Sequence, residues 1–595
     1  MLCGLEIHQR IGKRKLFSYC PNPLAQAELE KNSFKFFRRL YPTKSEIGQL
    51  DNAAFFESQK EKTFFYYAPF SFTSLVETDE EPPYSINPEA LLYAISFSKF
   101  INANIVDELH VMRKIVIDGS NVSGFQRTAL VAFDGVLASP KMKIPIQTVC
   151  LEEEAAGIIE SSSSYTSYRL DRLGIPLLEI ATEPVFRSAA EAKEAALEIG
   201  LALRMHKDTA RGLGTIRQDV NISVDGGARV EIKGLQNIEL LEILIQNEEQ
   251  RQKKLIEIIN QIKSLNIDFS QIKAINVSDL FRSSKCKIIS NVIRDGGEVY
   301  CIYLPSFKGI LGKELYKNRR FGTELSDYVK ASTSLKGLIH SDENLANYGF
   351  AQEEIKALAD FIGLKENDAF ILLSAKKQEL ELASKIVIER IKMLYVPKET
   401  RKANEDGSSS FLRPLGSAAR LYPETDIPII ALSNFPIKEN GSFSYYEKLE
   451  KYKKELGNDL AIQILSSHNL FLFEEIIKKV NAPKQAAIIL ENYIPKLRRE
   501  NLNTNKITPK IIIDILEFYS QDKISSAAIE EILRLFLTTN LDSVEQIIKT
   551  YKLFKLSKKQ TLELFEKEGK NFKEFIKKYR LIADMSAFEK PNKQD

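Results

Sequence analysis

Alternation of apolar and polar positions dominates the first 235 residues of the chain. The segments VMRKIVIDGS (111–120) and RTALVAFDGV (127–136) alternate with the period of two that is typical of β-strands, and each contains an Asp-Gly pair that favours a turn. The segment TIRQDVNISVDGGARVEIKG (215–234) alternates on both sides of an Asp-Gly-Gly triplet, which predicts an antiparallel hairpin. Short strands joined by glycine-containing turns, with the strands ending at the Asp-Gly pairs, are therefore expected here.

Two segments of the same region have a helical period instead. Residues 187–207 begin with Ser188 and Glu191 at the spacing of a capping box, and their apolar positions recur every three or four residues. The apolar positions on that face are Ala192, Ala195, Ile199 and Leu203. A longer amphipathic helix is expected over residues 238–265.

The rest of the chain changes texture three times. Residues 276–395 predict an inserted α+β module, with short strands near 287–293 and 298–304 followed by helices. Residues 396–428 are dense in Pro, Gly, Arg and acids and predict a loop, whereas almost everything from residue 444 onward predicts amphipathic helix. The expected fold class is α+β and multidomain. Its expected domains are 1–275 with 396–440, then 276–395, 441–503 and 504–595.

Composition narrows the function classes. The 595 residues include 83 Lys and Arg against 80 Asp and Glu, a net charge of +3, so a nucleic-acid-binding surface would have to be local. The five cysteines are scattered without a CxxC pair, which argues against a zinc knuckle or a disulfide scaffold. No apolar run approaches 18 residues, so we expect a soluble, cytoplasmic protein without a membrane segment.

The strongest chemical signal is a group of carboxylates within residues 150–184. Glu152, Glu153 and Glu154 are consecutive, and in a strand Glu152 and Glu154 would point to one side and Glu153 to the other. Glu179 lies inside an apolar run that predicts burial. A buried carboxylate is costly unless a cation or a metal ion pairs with it. The segment therefore predicts a cation-binding site, although a solvated charge run is an equally good interpretation of the sequence alone.

Glu6 and His8 are two residues apart and share one face of a predicted strand. A carboxylate and an imidazole on one face can bind a divalent metal or act as an acid/base pair. From spacing alone, the favoured alternative is a solvated strand face with a structural histidine.

The predicted hairpin carries a polar face with charges of both signs. This face suits a floor that holds phosphate and metal, and it equally suits an exposed sheet surface. Its residues are Arg217, Asp219, Asn221 and Ser223 on one strand and Glu231 and Lys233 on the other.

Two loops offer further polar groups. Residues 120–128, SNVSGFQRT, present backbone N–H groups and a guanidinium to phosphates, but no GxxxxGK[ST] motif is present and a P-loop is not expected. In residues 401–426, Arg413 and Arg420 with Glu424 and Asp426 either complete a site or hold a surface loop by ion pairs.

Several long motifs together resemble one family, the amidotransferase subunits that include the E subunits of archaeal glutamyl-tRNA(Gln) amidotransferases and, more distantly, the bacterial and organellar B subunits. The motifs are GLEIHQRI, LVETDEEPPYSINPEAL, VMRKIVIDGSNVSGFQRT, TVCLEEEAAG, YRLDRLGIPLLEIATEP, GTIRQDVNISV, VEIKGLQNI, and ETRKANEDG with FLRPLGSAARLYPETD. They are correctly ordered between residues 4 and 428. Glu154 stands where the family usually has Asp, and Lys402 and Glu405 replace the usual Gly and Pro.

The resemblance implies an architecture. Residues 1–275 and 396–440 would form a mixed-sheet cradle with a kinase site, and 276–395 would form an insertion domain similar to that of bacterial-type aspartyl-tRNA synthetases. Residues 441–503 would be a helical domain and 504–595 a YqeY-like tail that binds tRNA. Because B subunits lack the insertion, its presence favours an E subunit.

The resemblance also implies a reaction. Such a subunit uses ATP and Mg²⁺ to phosphorylate the side-chain carboxylate of the glutamate on Glu-tRNA(Gln). Ammonia from a partner glutaminase, the asparaginase-like D subunit of a D2E2 heterotetramer, then gives Gln-tRNA(Gln). Two alternatives stay open: a B-type subunit that works with A and C partners, and a non-catalytic tRNA-binding relative.

The resemblance finally implies roles for individual residues. Metal ligation falls on His8, Glu153 and Glu179, with the choice of Glu153 over its two neighbours set only by alignment. Catalytic roles fall on Glu6, Arg217, Asp219 and Lys233. ATP-binding roles fall on Ser120, Asn121, Gln126 and Arg127. The tRNA-binding lysines of the tail are Lys558, Lys559, Lys577 and Lys578.

Overall fold

The structure is a computed structural model that describes residues 1–23, 33–46, 48–212, 214–432, 435, 443–569 and 571–588. The chain divides into two compact units, one formed by Met1–Leu203 and Asp208–Ser442 and the other by Arg204–Lys207 and Phe443–Asp595. Sheets with packed helices make up the first unit, and helices make up the described part of the second, so the protein is a mixed α/β multidomain chain with a helical C-terminal region. The predicted boundary at 440/441 lies outside the described residues, and the other domain limits remain predictions.

The strands of the first part of the chain are β1 Leu2–Arg10, β2 Phe34–Arg38, β3 Thr63–Ala68, β4 Asn104–Ile105, β5 Glu108–Leu109, β6 Val111–Ile115, β7 Phe125–Ala138, β8 Lys143–Glu153, β9 Gly157–Ser161, β10 Tyr165–Arg169, β11 Pro176–Thr182, β12 Ile216–Ser223 and β13 Val230–Leu235. Those that follow are β14 Ala274–Asn276, β15 Glu298–Leu304, β16 Glu314–Tyr316, β17 Arg319–Arg320, β18 Ile339–His340, β19 Ala369–Ala375, β20 Glu399–Ala403, β21 Ser409–Pro414, β22 Leu421–Pro423 and β23 Ile430–Ala431.

The α-helices up to residue 392 are α1 Asn52–Ser58, α2 Pro88–Phe100, α3 Ala189–Arg204, α4 Leu241–Ser264, α5 Lys287–Arg294, α6 Phe321–Ser332, α7 Gln352–Ile362 and α8 Lys377–Lys392. Those of the C-terminal region are α9 Tyr445–Leu456, α10 Asn458–Ser466, α11 Leu470–Lys479, α12 Pro483–Ile488, α13 Ile494–Arg499, α14 Pro509–Ser520, α15 Ala528–Thr538, α16 Val544–Thr550, α17 Lys558–Lys567 and α18 Phe572–Tyr579.

An 11-stranded sheet forms the framework of the first unit. Its order is β21-β20-β13-β12-β1-β11-β8-β7-β6-β22, with β4 pairing onto β7. Strand β1 lies in the middle of this order, between β12 and β11. Its alternate apolar residues Cys3, Leu5 and Ile7 are almost fully buried, while Glu6 and His8 point to the other face. The predicted hairpin is confirmed as β12 and β13, and the two predicted helices are confirmed as α3 and α4 with short adjustments of their ends.

Three local expectations were wrong. Residues 287–294 form helix α5 rather than a strand, because Ile289 and Ile293 are four residues apart, at helical spacing, and pack inward despite their β-branched side chains. Strand β7 continues through Asp134-Gly135, where Asp134 takes a φ of 53° and Gly135 allows a close approach of Ile101. The expected loop at 396–428 contains β20, β21 and β22 of the main sheet.

Residues 274–375 supply a separate four-stranded sheet of order β14-β15-β19-β18. Helices α6 and α8 and the C-terminal half of α4 pack with this sheet around one apolar core. Among the described residues no single helix is long and apolar enough to cross a membrane. The helices Asn458–Ser466 and Leu470–Lys479, bent by 116° at a short break, reach that length and composition only as a pair.

A buried ionic network links this inserted segment to the main sheet. Glu324 of α6 accepts hydrogen bonds from Arg251 of α4 at 2.5 and 3.0 Å and from Arg390 of α8 at 3.3 Å. Arg401 of β20 donates to Glu399 at 2.7 Å, and Arg251 donates to the same carboxylate at 2.5 Å. These side chains are almost fully buried, so each charge depends on its partners for the solvation it has lost.

We expect Glu324→Gln to lower the free energy of unfolding by about 3–5 kcal/mol, because it leaves buried guanidinium groups without their shared carboxylate. Urea denaturation followed by circular dichroism measures this. The control is Glu249→Gln, which removes the exposed pair with Lys253 on α4 and should cost no more than about 0.5 kcal/mol. Equal effects of the two variants would show that the buried network contributes no more to the free energy of unfolding than an exposed ion pair does.

Candidate functional site

One face of the main sheet carries a continuous polar surface. Strand β1 pairs with β11 so that His8 lies opposite Glu179, and with β12 so that Glu6 lies opposite Asp219 and His8 opposite Arg217. Directly paired residues of antiparallel strands point to the same face, so these side chains project together. The residues on this polar face are Glu6, His8, Lys114, Gln126, Glu152, Glu179, Arg217, Asp219, Asn221, Glu231, Lys233 and Thr400.

His8, Glu152 and Glu179 form a group whose ligand atoms all lie within 4.8 Å of one another. Nε2 of His8 is 3.2 Å from Oε2 of Glu179 and 3.8 Å from Oε2 of Glu152. A histidine nitrogen with two carboxylates is a donor set that suits a divalent cation such as Mg²⁺ or Mn²⁺. The residues therefore fit a metal site of the kind expected from the sequence, with Glu152 in the place expected for Glu153.

Lys114 of β6 is the cation of this group. Its Nζ donates to Glu152 at 2.8 Å and lies 4.0 Å from Glu179. Burial alone would raise the pKa of Glu179, but Lys114 and His8 hold it well below its ordinary value. Burial likewise opposes protonation of His8, and the hydrogen bond and charge of Glu179 outweigh it and raise the imidazole pKa.

Sequence reasoning missed Lys114. The signal available was a lysine inside the apolar strand VMRKIV, where a charged side chain needs a partner.

Glu153 lies on the opposite face of β8. Its carboxylate accepts from the backbone N–H of Arg127 at 3.1 Å and pairs with the Arg127 guanidinium at 3.5 Å. Burial raises the pKa of Glu153, and the Arg127 charge only partly opposes this. The expected grouping of Glu153 with His8 and Glu179 is therefore wrong: strand alternation puts Glu152 on the His8 face and Glu153 behind it.

Glu154 collects three guanidinium groups. Arg10 donates to it at 2.6 Å, Arg217 at 2.7 Å and Arg172 at 3.0 Å. Burial would raise the pKa of this carboxyl, but the three arginines hold it at about 2. Arg217, expected as a phosphate or metal partner, is thus already paired with Glu154.

A second acidic group consists of Glu6, Asp219 and Glu231. Lys233 bridges it, with Nζ 2.9 Å from Asp219 and 2.8 Å from Glu231. Burial would raise the pKa of Asp219 and lower that of Lys233, but their mutual attraction holds Asp219 at about 2 and raises Lys233. Glu6 accepts from Asn221 at 2.8 Å, and burial raises its pKa to about 7. The Lys233 ammonium thus supplies the positive charge among these three carboxylates.

The four residues expected to bind ATP do not all meet at one point, although Asn121 and Arg127 line the same small cavity. Gln126 donates to Glu152 at 3.2 Å and to the backbone oxygen of Glu153 at 2.7 Å, on the His8 face. Arg127 lies on the other face and donates to Glu424 at 2.7 Å.

The other two belong to the loop before β7. Ser120 bonds to Asp118 through its N–H and its hydroxyl, and Asn121 is buried with its Nδ2 3.3 Å from the Ser120 hydroxyl. Asp118 also lies 3.7 Å from Arg413, so residues of the 401–426 segment do reach this loop.

Three further side chains of that segment also have partners. Arg420 donates to the backbone oxygen of Ile115 at 3.0 Å. Glu424 and Asp426 accept from Arg113 at 2.5 and 3.1 Å. Side chains of the 401–426 segment therefore contact strand β6 and the loop that follows it.

Comparison with known proteins matches most of the chain. A family model described as the GatB/GatE catalytic domain covers residues 1–438, and one described as a GatB domain covers residues 471–581. The chain belongs to the GatB/GatE family. Strand β1, the polar face and the inserted segment all lie within the first match, so the resemblance expected from the motifs is confirmed.

Three relatives illustrate the similarity, and each is named as the E subunit of a glutamyl-tRNA(Gln) amidotransferase. The protein of Methanococcus maripaludis (strain C7) is 41% identical over 95% of this chain and 90% of its own length. That of Sulfolobus acidocaldarius is 43% identical over 92% and 88%, and that of Pyrococcus furiosus is 41% identical over 96% and 92%.

The second match of this GatB/GatE family member includes the four tail lysines. Lys558 and Lys559 lie in the first turn of α17, and Lys577 and Lys578 in the last turn of α18. All four are exposed, although Lys578 pairs with Glu568 at 2.9 Å. They are available to phosphates, and their role remains a prediction.

The Glu154 cluster should make stability depend on acid. A carboxyl whose pKa falls from 4.5 to about 2 on folding contributes stability above pH 4.5, and this is lost as pH falls toward 2. We expect Glu154→Gln to cost roughly 3 kcal/mol at pH 7, the free-energy equivalent of that pKa difference, and less at each step from pH 4.5 to 3. Urea denaturation across this range measures it.

Glu405→Gln, in the exposed turn between β20 and β21, is the control and should be neutral at every pH. A Glu154→Gln deficit that stays constant down to pH 3 would contradict the role of the ionised carboxylate.

Proposed function

We propose that this chain is the activating subunit of a tRNA-dependent amidotransferase. It would use ATP to phosphorylate the side-chain carboxylate of glutamate on Glu-tRNA(Gln), and ammonia would then displace phosphate to give Gln-tRNA(Gln). The observation that carries this is the His8–Glu152–Glu179 group with Lys114 on one sheet face, inside the part matched by the GatB/GatE catalytic-domain model. The relatives that share most of the chain bear the corresponding name.

The proposed reaction needs positive charge near the phosphates more than it needs a nucleophile or a general base from the protein. A glutamate oxygen attacks the γ-phosphorus of ATP and ADP leaves, and then ammonia attacks the acyl carbon and phosphate leaves. The first step brings two anions together and the second releases a phosphate anion, so positioning and charge neutralisation dominate. When bound, Mg²⁺ would supply neutralisation of phosphate oxygens, and His8, Glu152 and Glu179 are the residues that would hold it.

The chain's own side chains do the rest. Lys114 helps to keep Glu179 ionised, and it orients Glu152 by a hydrogen bond while Gln126 donates a second one to the same carboxylate. Lys233 brings a permanent positive charge to the same face and is fixed by Asp219 and Glu231. We assign the divalent ion to the first group, where Lys114 hydrogen-bonds only Glu152, because in the second group Lys233 bonds both Asp219 and Glu231.

The partners are also proposals. The named relatives are subunits, and an E-type subunit would receive ammonia from a glutaminase of the D type, expected in a D2E2 heterotetramer. The cytoplasmic location expected from the sequence belongs to the same proposal.

The neighbouring glutamates of β8 provide a matched test of the metal site. We expect Glu152→Gln to weaken Mn²⁺ binding, followed by electron paramagnetic resonance, by roughly tenfold or more, because a carboxylate ligand is lost. ATP hydrolysis that depends on Glu-tRNA(Gln) should fall in parallel. Glu153→Gln changes the same residue type one position away, on the other face, and should leave Mn²⁺ affinity unchanged.

If Glu153→Gln weakens Mn²⁺ binding and Glu152→Gln does not, the assignment of Glu152 as a metal ligand is refuted. Unchanged ATP consumption in Glu179→Ala would remove the whole site from the reaction.

The tail should contribute affinity for tRNA. We expect replacement of all four lysines by glutamine (Lys558→Gln, Lys559→Gln, Lys577→Gln and Lys578→Gln) to weaken tRNA binding and to make it less dependent on salt. With fewer phosphates contacted, fewer counterions are released when tRNA binds. Filter binding at several salt concentrations measures this, and ATP binding should stay unchanged. Equal tRNA affinity and salt slope in the variant would show that these lysines do not contact tRNA.

A further inference from the structure

A second sheet of the first unit has an outer face that the proposed reaction does not use. Its order is β2-β3-β10-β9, with β3 and β10 parallel and the other pairs antiparallel. The inner face packs Phe64, Tyr66 and Tyr168 into a small core, and Tyr66 and Tyr168 donate to the backbone oxygens of Gly119 and Asp118. The outer face therefore consists of the alternate residues of each strand.

Strand register arranges this outer face as a grid. Lys35 pairs with Tyr67 and Tyr67 with Arg169; Phe37 pairs with Phe65 and Phe65 with Ser167; Thr63 pairs with Tyr165. Arg39 completes the grid, because its Nε lies 3.3 Å from the Thr63 hydroxyl. We call this set of side chains the outer grid: Lys35, Phe37, Arg39, Thr63, Phe65, Tyr67, Tyr165, Ser167 and Arg169.

Aromatic rings run across the middle of the outer grid. The ring centroids of Phe37 and Phe65 are 6.2 Å apart, and those of Phe65 and Tyr165 are 5.9 Å apart. Phe37 is 66% exposed and Phe65 is 40% exposed. Adjacent exposed phenylalanines on a flat sheet leave an apolar surface in water, which usually marks a binding site.

Cations flank the rings along the strands. The Lys35 ammonium lies 5.1 Å from the Tyr67 ring centroid at one end, and the exposed Arg39 lies beside Thr63 at the other. Arg169 is neutralised by Asp171 at 2.7 Å. The outer grid itself contains no acid, and the nearest one in register, Glu160 of β9, accepts from the Tyr165 hydroxyl at 2.7 Å.

We propose that the outer grid binds a short unpaired segment of RNA, with bases stacked on Phe37, Phe65 and Tyr165 and phosphates held by Lys35 and Arg39. Aromatic side chains on an open sheet stack bases whatever their sequence, and cations at the margins follow the backbone. The outer grid favours RNA over a protein partner, because Lys35 and Arg39 give it positive charge at its margins and it contains no acid. The proposal does not depend on the metal or ATP assignments.

The test is fluorescence anisotropy of a labelled eight-nucleotide single-stranded RNA with the full chain. We expect the double variant Phe37→Leu with Phe65→Leu to raise Kd by roughly tenfold or more, because leucine keeps apolar area but cannot stack a base. Phe361→Leu, another exposed phenylalanine on α7, is the matched control and should bind like the wild type. Thermal denaturation should be unchanged in both, since the rings are exposed.

The cations have their own readout. Lys35→Gln with Arg39→Gln should lower the slope of log Kd against log salt by about 0.7 for each cation removed. Both double variants are also made in the protein whose four tail lysines are glutamine. RNA binding by the outer grid should persist in that protein and should still be weakened by each double variant, which separates this surface from the tail.

Unchanged affinity of the double leucine variant overturns the proposal. A double leucine variant that keeps RNA affinity but alters the sedimentation coefficient assigns the face to a second copy of the chain and also overturns it. Glu152→Gln should bind the oligonucleotide normally, so failure of the reaction proposal and failure of this one are distinguishable.

Discussion

The register of β1 between β11 and β12 is the constraint on which the candidate site depends. It sets His8 between Glu179 and Arg217, and Glu6 beside Asp219, although these partners are more than 170 residues away in the chain. A slip of one residue would exchange Leu5 and Ile7, which are buried in the core, with Glu6 and His8. The cost of exposing that core therefore holds the polar residues in place.

Charge balance is the second organising feature of the polar face. Each group of carboxylates has its own cation: Lys114 for Glu152 and Glu179, three arginines for Glu154, and Lys233 for Asp219 and Glu231. Carboxylates in a low-dielectric setting stay ionised only with such partners. The charged side chains of this face are thus fixed relative to one another before any ligand arrives.

The inserted segment contributes to this arrangement from a distance. Glu324 of α6 accepts from Arg401 of β20 at 3.4 Å and from Arg390 of α8 at 3.3 Å, and the Tyr328 hydroxyl of α6 donates to Glu399 of β20. Between Glu399 and Arg401, Thr400 points to the polar face and donates to Glu231 at 2.9 Å. Packing of the insertion and placement of the Glu231–Lys233 pair are therefore parts of one structure.

The sequence by itself determined the family, the β12–β13 hairpin, the helical C-terminal region and the opposite orientation of Glu152 and Glu153. These follow from long motifs and from local periodicity, which neighbouring residues carry. Only the tertiary structure decided which of the two glutamates faces His8, that Lys114 pairs with Glu152, and that Glu399–Ala403 and Ser409–Pro414 are strands. Those outcomes depend on pairing between segments far apart in the chain, and local alternation defines two faces without saying which one meets a distant strand.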